Sequence, residues 1–119
     1  MPPAAEPYGS GTVLVFDTSA WSRQRHPSVL HRWQATLAAS LLAACPVVAL
    51  ELLASARDEQ AFRDLDQALA ALAQAPITRA ACDRALGASR KLAGERRLPA
   101  ADYLIAAAAA ERGFGVLHY

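Results

Sequence analysis

A chain of 119 residues, 54% of them apolar, is long enough for one domain that buries roughly 65% of its unfolded surface without disulfide or metal staples. Twelve Lys and Arg against eleven Asp and Glu leave a net charge of +1, so overall charge argues neither for nor against a nucleic-acid partner. No apolar run approaches the length of a membrane span, which excludes a membrane-spanning protein and points to the cytoplasm.

The first eleven residues, rich in Pro, Ala and Gly, lack a basic segment followed by an apolar one, so they read as a flexible tail and not a signal peptide. Thr12 to Phe16 is short, β-branched and apolar, the signature of a buried parallel strand. Asp17, Thr18 and Ser19 then offer N-cap chemistry for a short helix through about Arg25. A helix from Pro27 places Leu30, Trp33, Leu37 and Leu41 on one face, and Pro46 to Leu50 reads as the second strand. A helical turn from Glu51 precedes an amphipathic helix over Asp58 to Gln74, carried by Phe62, Leu65, Leu69 and Leu72. Pro76 to Thr78 suggests a very short strand, and Arg79 to about Arg97 another helix, with Cys82, Leu86, Ser89 and Leu92 inward. Pro99 suits the first turn of a helix over Ala100 to Arg112, which Gly113 and Gly115 end before a last strand, Val116 to Tyr119. Strands alternating with helices predict an α/β layer sandwich around a parallel sheet. Cys45 and Cys82 stand in no motif and read as buried, reduced side chains.

Three acids belong at one end of such a sheet. Asp17 and Glu51 each follow the last apolar residue of an expected strand, where open parallel sheets bind their ligands. Asp102 begins a helix that runs antiparallel to the final strand, so it reaches the same edge. Taken singly, each has a plainer role: a helix cap for Asp17, the polar position of an amphipathic turn for Glu51, a first-turn acid for Asp102. Taken together, the grouping is costly, because two unit charges about 4 Å apart repel by roughly 4 kcal/mol at an effective dielectric of about 20. Such a cluster takes up protons or binds a cation. Oxygen ligands without His or Cys favour Mg²⁺ or Mn²⁺, ions suited to phosphodiester chemistry.

These residues resemble those of the PIN-domain ribonucleases, specifically VapC-type toxins. The matching pieces are Val15 to Trp21, Val48 to Leu53, and Leu98 to Ala109 followed by Gly115 to Tyr119. The resemblance covers the chain from Thr12 to its end and implies a three-layer α/β/α sandwich with a short central parallel sheet. It further implies a Mg²⁺- or Mn²⁺-dependent endoribonuclease acting on structured RNA such as tRNA or rRNA, dimerisation, and inhibition by a VapB-type antitoxin. Asp17, Glu51 and Asp102 match the family's metal-binding acids, and Thr18 and Ser19 its hydroxyls that orient the first acid or its water. In the family one or two further aspartates follow the position of Tyr119. A PIN-like domain over residues 12–119 is therefore expected to lack its usual C-terminal end and a fourth acid.

Arg23, Arg25, Arg32 and Arg57 fall near the carboxyl edge, and Arg90, Lys91, Arg96 and Arg97 cluster before Asp102. Solvated helix surface is one reading, and RNA phosphate contact, above all by Arg23, Arg25, Arg57, Arg96 and Arg97, is the other. His26, His31 and His118 lack metal-ligand spacing. Trp21 and Trp33 read as core or dimer-interface residues. Two other functions compete. One is a PIN-like module that binds antitoxin or RNA without cleaving it. The other is a haloacid-dehalogenase-like phosphohydrolase, which would want a second acid where Ser19 stands.

Overall fold

The computed structural model describes residues 12–117, so the stretch read as a flexible tail, together with His118 and Tyr119 of the last expected strand, lies outside the described residues. Leu14–Phe16 forms β1, Leu42–Ala44 β2, Ala73–Gln74 β3 and Gly115–Leu117 β4. Thr18–Ser22 and Pro27–Ala38 are α1 and α2, Pro46–Ala54 and Glu59–Ala70 are α3 and α4, and Arg79–Leu92 and Ala100–Glu111 are α5 and α6. All strand pairs are parallel, in the order β3-β2-β1-β4. The expected three-layer α/β/α sandwich is present.

The core forms where β1 meets its neighbours. Val15 and Phe16 are fully buried, as parallel strands covered on both faces must be. Phe16 packs against Trp21 of α1 and Trp33 of α2, with ring centroids 5.5 and 5.4 Å away, and the two indoles lie 5.9 Å apart. This aromatic triangle supports the strand end from which Asp17 emerges. A smaller alanine cluster, Ala81, Ala85 and Ala107, joins α5 to α6.

Both strands beside β1 are entered through the same turn. After α6, the Phe114 N–H bonds the Ala109 carbonyl (2.8 Å) and the Gly113 N–H the Ala110 carbonyl (3.1 Å), with Gly113 left-handed at φ 69°. This is a Schellman turn. After α2, Leu41 bonds Thr36 and Ser40 bonds Leu37, both at 3.0 Å, but here Ser40 holds the left-handed position at φ 59°.

The second strand differs from expectation. β2 is Leu42–Ala44, whereas Pro46 to Leu50 opens α3, so Glu51 sits in a helix and does not follow a strand. Short apolar runs suit either state, and burial decides between them. Pro46 occupies the first helical turn, where its missing N–H costs nothing, and Val48 and Leu52, four residues apart, bury one helical face while Leu50 stays exposed. Likewise β3 is Ala73–Gln74 and not Pro76 to Thr78, because the Thr78 hydroxyl caps α5 by accepting the Ala81 N–H at 3.0 Å. Helix ends also contract: α1 stops at Ser22, α4 at Ala70 and α5 at Leu92, leaving residues 93–99 as a loop.

Buried stripes shift with these boundaries. Val29, Trp33 and Thr36 are buried on α2 and Ala81 and Ala85 on α5, while Leu37, Phe62 and Leu86 are exposed. Cys45 is buried, Cys82 half-buried, and both are free thiols.

Candidate active site

The chain moves from β1 to β2 to β3 in one direction, then returns so that β4 lies on β1's other side. The carboxyl ends of β1 and β4 therefore flank a topological switch point, where open parallel sheets form their binding crevices. A hollow of about 310 Å³ opens there, lined by Asp17, Asp102 and Arg96 with Leu98, Ile105 and Val116 among the apolar wall.

Asp17 is built into the backbone of this rim. Its N–H donates to the Leu117 carbonyl at 3.0 Å, extending the β1–β4 ladder by one bond. Its Oδ1 accepts from the Ser19 hydroxyl at 2.7 Å and the Ala20 N–H at 2.8 Å, capping α1. Those bonds engage one carboxylate oxygen and fix the orientation of the other. Asp102 arrives on the first turn of α6, where the helix's positive end favours an acid.

Glu51 reaches this neighbourhood by another route. It is exposed on the second turn of α3, outside the hollow's lining, and its Oε1 accepts the Thr18 hydroxyl at 2.8 Å. The two hydroxyls thus divide their work: Ser19 orients Asp17, while Thr18 tethers Glu51. Among the described residues, no three His, Cys, Asp or Glu come together as a ready-made metal cage. Two of the three expected acids share a hollow, and the third is linked to its rim.

Two carboxylates fit Mg²⁺ or Mn²⁺. Mg²⁺ keeps several waters and is commonly held by one or two carboxylates plus substrate phosphate. Of the five arginines singled out for RNA contact, Arg96 lines the hollow, whereas Arg23, Arg25, Arg57 and Arg97 are exposed outside its lining. His26 caps α2, its Nδ1 accepting the Ser28 N–H at 3.2 Å, and His31 is exposed. Cys45 offers no competing nucleophile, since burial pushes its thiol pKa up against the opposing backbone hydrogen bond at Val47.

Residues 14–119 match the family model of the PIN domain. The chain belongs to the PIN-domain family of VapC-type ribonucleases. It is 38% identical over 112 residues to Ribonuclease VapC18 of Mycobacterium tuberculosis, covering 90% of this chain and 82% of that protein. Ribonuclease VapC51 of the same organism is 37% identical over 109 residues, covering 88% and 78%. Two solved structures share the PIN fold, each with a TM-score of 0.64. A toxin–antitoxin complex from Klebsiella pneumoniae is 17% identical and covers 87% of this chain and 82% of its own. DNA-bound VapBC from Salmonella typhimurium is 19% identical and covers 87% and 83%. No helix among the described residues is long and apolar enough to cross a membrane.

Proposed function

We propose that this PIN-domain protein is the toxin of a type II toxin–antitoxin pair, an endoribonuclease that hydrolyses RNA phosphodiester bonds with Mg²⁺ or Mn²⁺. The observation that carries this reading is the delivery of Asp17 and Asp102, by separate elements, to one hollow at the switch point of the sheet. A divalent ion there would supply water activation and charge neutralisation at the phosphate. Asp17, fixed by Ser19 and the α1 N-terminus, and Asp102, on the first turn of α6, would hold it. Glu51, tethered by Thr18, would complete the acidic rim as RNA and metal bind. The names of the relatives and structural neighbours further support a VapB-type antitoxin as partner and RNA as substrate. Structured RNA such as tRNA or rRNA, met in the cytoplasm, completes the proposal. A homodimer belongs to the same reading.

The test is cleavage of total RNA with Mn²⁺ by the native chain and by Asp17→Asn. Cleavage by the native chain alone supports the nuclease, and equal cleavage by both removes it. A second reading, a module that binds RNA or antitoxin without cutting, is favoured by the position of Glu51 outside the hollow. It predicts metal binding with no cleavage by either protein.

A further inference from the structure

Among the described residues, the hollow that holds Asp17 and Asp102 has one cation in its lining, Arg96. An RNA phosphate entering a recess walled by carboxylates is repelled unless positive charge meets it. The ion pairs among the described residues are Arg63 with Glu59, Arg79 with Asp83 and Arg84 with Glu111. Arg96 is in none of them, although two carboxylates line the same hollow, so its guanidinium donors stay open to an incoming anion.

Its backbone, by contrast, is held. The Arg96 N–H donates to the Leu92 carbonyl at 3.0 Å, and two residues on the Leu98 N–H donates to the Tyr103 hydroxyl at 3.1 Å. Tyr103 follows Asp102 directly on α6, so the helix that supplies an acid also pins the loop that supplies the cation. A free head group on a fixed stem suits phosphate capture, because less conformational freedom is lost on binding.

We propose that Arg96 is the phosphate clamp of this site, its guanidinium gripping an RNA backbone phosphate drawn against Asp17 and Asp102. This assignment rests on the nuclease reading and deepens it. A planar fork engages a phosphate through two parallel hydrogen bonds, which Lys cannot reproduce. Because the contact is to the backbone, it contributes affinity and register without base preference.

The test measures binding of a fluorescein-labelled uridine 20-mer to the native chain in EDTA, by anisotropy over a series of salt concentrations. Arg96→Ala should weaken binding roughly tenfold at low salt, the scale of a charge-assisted contact. It should also flatten the plot of log affinity against log salt by about 0.7, the value of one phosphate contact on a single strand. Arg96→Lys should keep the native slope with part of the affinity lost. Arg63→Ala, which removes an equal charge from α4 outside the hollow, should change neither.

An Arg96→Ala slope and affinity equal to native overturn the clamp, as does a loss matched by Arg63→Ala or a native chain that does not bind the 20-mer. Failure of the underlying reading appears on a different variant: RNA cleavage surviving Asp17→Asn would overturn both. Arg96 is exposed and belongs to no helix or strand, so its variants should melt at the native temperature.

Discussion

The two flanks of β1 solve the same problem with different firmness. On the β4 side, Asp17 is locked by a strand-to-strand hydrogen bond and two bonds to its Oδ1, and it shares a hollow with Asp102. On the β2 side, Glu51 rides exposed on the helix after the strand, tied to the rim by one hydroxyl. One flank is preorganised and the other is tethered. Acids held by backbone geometry cost little reorganisation when a cation arrives, whereas a tethered acid must be ordered at that moment.

The largest effects should fall on the β4 side. Asp17→Asn and Asp102→Asn should each lower metal affinity and turnover by more than about 100-fold, above the range seen when only supporting groups around a metal are changed. Asn caps helices as well as Asp does, so Asp17→Asn should leave the melting temperature nearly native. Asp17→Ala should lose the same activity and about 1 kcal/mol of stability besides. A thermal melt beside each assay separates the two.

Effects on the β2 side should be smaller and coupled. Glu51→Gln and Thr18→Val should each reduce turnover roughly tenfold, and the double variant should be little worse than Glu51→Gln, since Thr18 acts through the glutamate. Additive losses in initial-rate measurements would break the tether. Effects on Glu51→Gln as large as on Asp17→Asn would erase the contrast between the flanks.

The turns entering β2 and β4 extend the comparison to stability. Gly113 holds its left-handed position without strain, so Gly113→Ala should cost about 1 kcal/mol in a denaturant titration. Ser40 holds the equivalent place at the end of α2, and Ser40→Gly should gain about 0.5–1 kcal/mol by the same argument reversed.

The parts legible in the sequence were those whose signals are local. The β-branched run before Asp17 and the glycine after α6 mark their elements without reference to the rest of the chain, whereas the cap at Thr78 was hidden in a run that read as a strand. β2 was not legible, because Leu42, Ala43 and Ala44 carry little strand propensity and owe their state to pairing with β1. The Val47 and Val48 pair looked more strand-like, yet Pro46 and burial spaced four residues apart make it helical. For the site, the positions of Asp17 and Asp102 followed from element order. The Thr18 link to Glu51 spans 33 residues and could not be read from either neighbourhood. Arg96 was one arginine among several until a backbone bond to α6 placed its loop at the hollow.

Calorimetric titration of Mn²⁺ into the native chain, Asp17→Asn and Asp102→Asn tests most directly whether these two carboxylates act as a unit. Binding by the native chain that each substitution reduces by more than about 100-fold is the expected result. Superimposable binding curves for all three proteins would contradict it.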